Sequence, residues 1–176
     1  VTGLELSPAA CALADRTAAA NGLTDRLITL PCDLRDRRQL PSAGRFDLAV
    51  SNPPYFPAGG GKTAAGSRGI HRAELACTME QLCAAAAYLL RSGGQFCLVY
   101  RTERLAELME TLRRHRLEPK VLRFVQKTAA SAPSLLLMAC RKDGGTGLTV
   151  QPPLLLQNGD GTETPELRRI YFKEKG

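Results

Sequence analysis

Short apolar runs alternate along this chain with segments of helical period, and that alternation limits the fold more than any other feature of the sequence. "VTGLEL" reads as a strand. "SPAACALADRTAAANG" follows it with Ser7 as N-cap, Pro8 at the first helical position and Gly22 past the end. Two more strands are expected, through Leu27 to Leu30 and over "RFDLAVSN". From Glu74 to Arg91 the residues Leu75, Met79, Leu82, Ala86, Leu89 and Leu90 recur at three and four, so one helix face is apolar, and Gly93 and Gly94 are expected to stop it. "QFCLVY" is a strand, "TERLAELMETLRRHR" a helix capped by Thr102, and "KVLRFVQ" and "SLLLMACR" close the series. Strands alternating with helices predict an α/β fold, with a mostly parallel sheet covered by helices on both faces. The last two strands, joined without a helix, predict an antiparallel edge. One domain is expected over 1–176, with a core to about residue 142 and a loop-rich tail over 143–176.

"VSNPPYF", residues 50 to 56, ends the third strand in an asparagine, two prolines and two aromatics. Proline fixes φ near −65° and holds its predecessor extended, so Asn52, Pro53 and Pro54 are rigid. Neither proline has an N–H to compete for a carbonyl. The Asn52 side-chain oxygen and the Pro53 backbone carbonyl can therefore converge on one guest amino group, with Tyr55 offering a face to a planar ring. Such a nitrogen, conjugated to a ring or carbonyl, is a poor nucleophile. Two acceptors placed for the tetrahedral state favour its pyramidalisation as it attacks. A Pro-Pro turn closing a strand is the plain alternative.

Ligands of open α/β sheets sit beyond the carboxyl ends of the strands. Glu5 and Asp33 end the first two strands there, as Asn52 ends the third. A carboxylate at such a position suits a ribose diol, and an acid after the next strand can accept from an adenine amino group. Each acid alone is as readily a helix cap.

The charge balance, 24 Lys and Arg against 17 Asp and Glu for a net +7, favours a polyanionic partner such as nucleic acid. Lys62, Arg68, His71 and Arg72 lie in a glycine-rich stretch expected to form a lid over the target and to reach phosphates. Arg123, Lys127, Arg168, Arg169 and Lys173 would extend a basic track, whereas Arg113, Arg114 and Arg116 read as a solvated helix end. "GGGKT" is not a P-loop: the glycine required five residues before Gly61 is Phe56. Six cysteines without a C-x-x-C pair, beside two histidines, predict free thiols in a reducing cytoplasm and neither a zinc site nor a disulfide framework. No apolar run approaches the ~20 residues of a membrane helix, and no segment has the pattern of a signal peptide, so a cytoplasmic location without membrane association is expected.

"FDLAVSNPPYF" resembles motif IV of the class I S-adenosylmethionine-dependent methyltransferases that modify exocyclic or amide nitrogens, and "GLELSP" and "CDLRD" resemble their second and third motifs. The stretch from His71 to Val125 and the ending "TPELRRIY" look like the bacterial tRNA1(Val) (adenine37-N6)-methyltransferase family. The resemblance implies a Rossmann-like methyltransferase sheet and S-adenosylmethionine as cofactor, with Glu5 on its ribose, Asp33 and the Leu34 backbone on its adenine, and Asn52 shared between cofactor and target. It implies that Asn52, Pro53, Pro54 and Tyr55 hold a target adenine of tRNA, flipped from any stack, for N6-methyladenine formation by a monomer without metal. The same chemistry on a protein glutamine amide or on guanine N2 of ribosomal RNA is the alternative, and a non-catalytic RNA-binding remnant is another. The family's first strand and glycine-rich loop have no counterpart in these 176 residues. The sheet is therefore expected to be split between the strands ending at Glu5 and Asn52, with cofactor binding and activity of the 176 residues alone impaired.

Overall fold

The computed structural model describes residues 1–53 and 77–172. Strand β1 (Thr2–Glu5) hands over to helix α1 (Pro8–Ala20) at Ser7, whose side chain accepts a hydrogen bond from the Ala10 N–H at 3.4 Å. The helix ends at Asn21, and Gly22 follows in the left-handed region at φ +64°, which costs a glycine little. Strand β2 (Ile28–Pro31) returns parallel to β1, with Glu5 opposite Pro31.

Strand β3 (Phe46–Ser51) begins a second sheet. Helix α2 (Met79–Leu89) is shorter than the Glu74 to Arg91 expected from periodicity. It opens on a capping box: the Gln81 N–H donates to Thr78 Oγ1 at 3.2 Å, and the Thr78 N–H donates to Gln81 Oε1 at 2.9 Å. Gly93 and Gly94 do not stop this helix, because Leu90 is already extended and begins strand β4 (Leu90–Arg101). Their role is in the irregular start of that strand, where a Cβ on Gly94 would lie 2.8 Å from the Arg91 carbonyl oxygen. Nor does Thr102 cap a helix. Its hydroxyl donates to the Pro133 carbonyl at 2.9 Å, and it is the first residue of a short 3-10 turn, Thr102–Arg104, that leads into helix α3 (Leu105–Arg114).

Strands β5 (Leu117–Gln126) and β6 (Leu135–Lys142) pair antiparallel as expected, but they are interior. The order is β3-β4-β6-β5-β7, and the edge belongs to strand β7 (Thr149–Leu155), which runs parallel to β5. The tail expected as loop-rich thus contributes a strand, and an edge position tolerates Pro152 and Pro153 within it because one side needs no ladder donors. Helix α4 (Pro165–Ile170) packs on β7. Thr164 at its N-cap is buried, donating to the Leu155 carbonyl at 2.7 Å and accepting from the Leu167 N–H at 3.2 Å.

Alternate side chains of β4, β5 and β6 meet the apolar faces of α2 and α3. Phe96, Leu98, Tyr100, Leu122, Leu136 and Met138 pack with Leu82, Cys83, Leu108 and Leu112 as one core. On the other face Cys97, Val99, Leu137 and Ala139 are half-buried and line, with Val50 and Ser51, an apolar recess of about 340 Å³. Among the described residues the strands form two separately bonded groups, β1-β2 and the five-stranded sheet, so the sheet is divided between β1 and β3. The apolar side chains of β3 at that division are exposed, Val50 at 73% and Leu48 at 52%, whereas Phe96 and Leu136 in the interior strands are fully covered. The β2–β3 connection ties the two groups together: Leu34 packs against the core, and the Gly44 N–H donates to the Tyr88 carbonyl at 2.9 Å.

Candidate functional site

Glu5 and Asp33 are brought together by backbone register. Glu5 ends β1 opposite Pro31, and the Cys32 N–H donates to the Glu5 carbonyl at 2.8 Å, which leaves Asp33 one residue beyond the joint. The Glu5 side chain turns toward α1, where Oε1 accepts the Ser7 N–H at 2.8 Å. This bond satisfies one of the orphan donors around the helix start and fixes the carboxylate, while Oε2 keeps the acceptor capacity that a hydroxyl pair requires.

Asp33 is held more tightly. Its Oδ1 accepts the Arg35 N–H at 2.9 Å, and the Arg35 guanidinium donates to both oxygens, with Nη2 to Oδ2 at 2.7 Å. These hydrogen bonds, the side-chain ones first, hold the Asp33 carboxyl below the usual carboxylate range, so it is ionised near neutrality. The Asp33 N–H donates in turn to Gln39 Oε1 at 3.0 Å. Leu34 is half-buried between this turn and the core.

Asn52 and Pro53 follow β3 directly, Asn52 exposed and Pro53 half-buried. β3 runs parallel to β4 with Ser51 opposite Leu98, so the Asn-Pro step leaves the sheet at the carboxyl end of its first strand. Pro54 and Tyr55 lie outside the described residues, as do Lys62, Arg68, His71 and Arg72.

The site contains groups that sequence reasoning passed over. Arg35 is the partner of Asp33, a role that the "DLRD" spacing permits but does not single out. Cys77, just before the α2 cap, feels both charges of the Asp33–Arg35 pair, which places the start of α2 beside them; burial raises its thiol. The T-x-x-Q spacing at Thr78 to Gln81 was a readable capping signal. Burial also raises the thiols of Cys32 and Cys140 and pushes Cys83 up to about 12, so these sulfurs remain neutral, unreactive packing groups. Among the described residues no cluster of His, Cys, Asp and Glu could hold a metal ion, and no helix is long and apolar enough to cross a membrane.

Of the expected basic track, Arg123 is committed to the protein itself. Its guanidinium pairs with Glu166 in two parallel bonds of 2.7 and 2.8 Å and donates to the Pro152 carbonyl at 2.9 Å, clamping α4 and β7 to β5. Arg113, Arg114 and Arg116 are not merely solvated, because each is ion-paired, with Glu118, Glu80 and Glu110, and Asp143 respectively.

No family model matches the chain. The tRNA1(Val) (adenine(37)-N6)-methyltransferase of Porphyromonas gingivalis strain W83 is 30% identical over 175 residues, covering 97% of this chain and 68% of the relative. A release factor glutamine methyltransferase from Chlorobaculum tepidum is 30% identical over 120 residues, 64% of this chain and 41% of the relative. In fold, the chain is similar to a predicted O-methyltransferase from Agrobacterium tumefaciens, with a TM-score of 0.78 at 20% identity, over 97% of this chain and 76% of that one. It is also similar to a geranyl diphosphate methyltransferase solved in complex with S-adenosylmethionine, with a TM-score of 0.53 at 14% identity, over 81% of this chain and 68% of that one.

Proposed function

Because the chain belongs to the tRNA1(Val) (adenine(37)-N6)-methyltransferase family, we propose that it methylates the exocyclic N6 of an adenine in tRNA and that Asn52 and Pro53 grip that amino group. The protein is an S-adenosylmethionine-dependent methyltransferase, and the cofactor supplies an electrophilic methyl group on a sulfonium.

The residues present fit the nucleoside half of that cofactor. Glu5, anchored through Oε1, has a second oxygen for the ribose hydroxyls, and the ionised Asp33 with the Leu34 backbone suits the adenine edge. The observation that carries the proposal is the Asn-Pro step at the carboxyl end of β3. Two carbonyl acceptors there, the Asn52 side chain and the Pro53 backbone, would take the two N6 hydrogens and draw the nitrogen lone pair out of conjugation toward the incoming methyl. No strong base is required, since the proton is lost to solvent after the N–C bond has formed. Pro54 and Tyr55 complete this half of the site in the proposal, Tyr55 as the stacking face.

The test is methyl transfer from radiolabelled cofactor to bulk tRNA, ribosomes and release factors, with nucleoside and amino-acid digestion of each product. N6-methyladenosine in tRNA is expected. Label in N2-methylguanosine or in a glutamine side chain would move the same chemistry to another substrate, and RNA binding without transfer to any of the three would leave a non-catalytic binder.

A further inference from the structure

A second recess, of about 510 Å³, lies between the β2–β3 connection and the outer side of α2. Its α2 wall includes the small residues Ala84, Ala85 and Ala87, and its charged groups are Arg35, Arg37, Arg116 and Lys142. No aspartate or glutamate is among its described lining residues.

Arg35 and Arg116 are neutralised from the rim by Asp33 and Asp143, at 2.7 and 2.8 Å. The other two cations have no carboxylate partner among the described residues. Arg37 lies over the Tyr88 ring at 4.2 Å from its centroid, and Lys142 Nζ donates to the Leu90 carbonyl at 2.7 Å. A ring face and a carbonyl orient a cation without cancelling its charge, so the groove retains positive potential. Glu80 of α2 is engaged at the edge of the recess, by Arg114 at 2.9 Å and by the lining residue His115 at 2.7 Å, and leaves Arg37 and Lys142 without a carboxylate among the described residues.

Arg116 occupies the left-handed position after α3, at φ +60°, where glycine is the usual residue. Backbone economy therefore does not select an arginine there.

We infer that this groove seats the phosphodiester backbone of the RNA substrate at a segment away from the modified base, an inference that rests on the tRNA-methylating function proposed above. The groove opens beside Asp33 and follows α2 from Gln81 to Tyr88, roughly 10 Å at 1.5 Å per residue, which is room for successive phosphates of one strand. A protein partner would need apolar anchors to fill such a recess. The recess has an apolar wall of Leu34, Leu40 and small alanines, and its cations, with no acid among the described lining residues, suit a backbone recognised by charge.

The experiment measures binding of bulk tRNA to the protein across a series of salt concentrations, comparing wild type with Arg37→Gln/Lys142→Gln, which removes the two cations without a carboxylate partner among the described residues, and with Arg37→Lys. The double variant should raise Kd about tenfold and reduce the salt slope by roughly 0.7 to 0.9 per lost contact, with cofactor affinity unchanged. Arg37→Lys, which keeps the charge, should bind as wild type. A melting temperature of the double variant held near wild type would rule out loss of fold as the cause. Methylation of tRNA by wild type with unchanged Kd and slope in the double variant would overturn the groove alone. Absence of both RNA binding and N6-methyladenosine in wild type would overturn the groove together with the proposed function. Weakened binding of release factors or ribosomal proteins, with tRNA affinity untouched, would also overturn it.

Discussion

The proposed roles of Asn52, on the target amino group, and of Asp33, on the cofactor, can be separated by substitution. Asn52→Ala removes one of the two acceptors proposed for the target amino group and should reduce kcat by at least about 100-fold. Cofactor affinity, read by calorimetry, should stay within about threefold; an equal loss of both would mean that Asn52 serves the cofactor. Asp33→Asn removes the ionised acceptor that Arg35 holds in place. It should raise the cofactor Kd by about tenfold, roughly 1.4 kcal/mol, with kcat at saturating cofactor little changed. That an Asn-Pro step follows a strand at its carboxyl end was legible in "VSNPPY", because proline geometry is local. The Asp33–Arg35 clamp was not, since the spacing permits many rotamers and only the folded turn selects one.

At the scale of elements, two features missed in the sequence can be tested by stability. Gly94→Ala would place a Cβ 2.8 Å from the backbone oxygen of Arg91, an atom that cannot swing aside. A loss of about 1 to 3 kcal/mol is expected in urea unfolding; an unchanged midpoint would show that the start of β4 adapts. Glu166→Gln weakens the clamp of Arg123 on α4 and should cost about 1 kcal/mol, since the pair is partly exposed. The hydrogen bonds from Arg123 lower the Glu166 carboxyl below its ordinary range. A depressed folded value gives stability that is fully present above the unfolded pKa and is lost as pH falls through the folded one. The gap between wild type and Glu166→Gln in thermal melts should therefore be full at neutrality and close in acid. A gap independent of pH would assign the effect to packing. The tail expected as loop-rich holds a strand that contains Pro152 and Pro153; what admits them is the edge position, a property of strand order and not of the segment.

Over the whole molecule, stability should be uneven. β4, β5 and β6 are hydrogen-bonded on both sides and carry the main core, whereas β1 and β2 form a two-stranded unit with exposed apolar side chains. Two-stranded units are marginal by themselves. Hydrogen exchange should find β1–β2 amides at least about tenfold less protected than those of β4 and β6; equal protection would mean that the division in the sheet carries no energetic consequence. The sequence by itself determined the α/β class, the helix faces of Leu108 and Leu112, the Ser7 cap and the end of β3 at the Asn-Pro step, because periodicity, capping and proline geometry act over a few residues. Only the tertiary structure decided that β6 lies between β4 and β5, that Arg123 serves Glu166, and that Arg35, Arg37, Arg116 and Lys142 face one groove. Those facts depend on pairings such as Arg123 with Glu166, 43 positions apart, and Lys142 with Leu90, 52 apart, and nothing in the local chain encodes which partner a charge or a strand edge will meet.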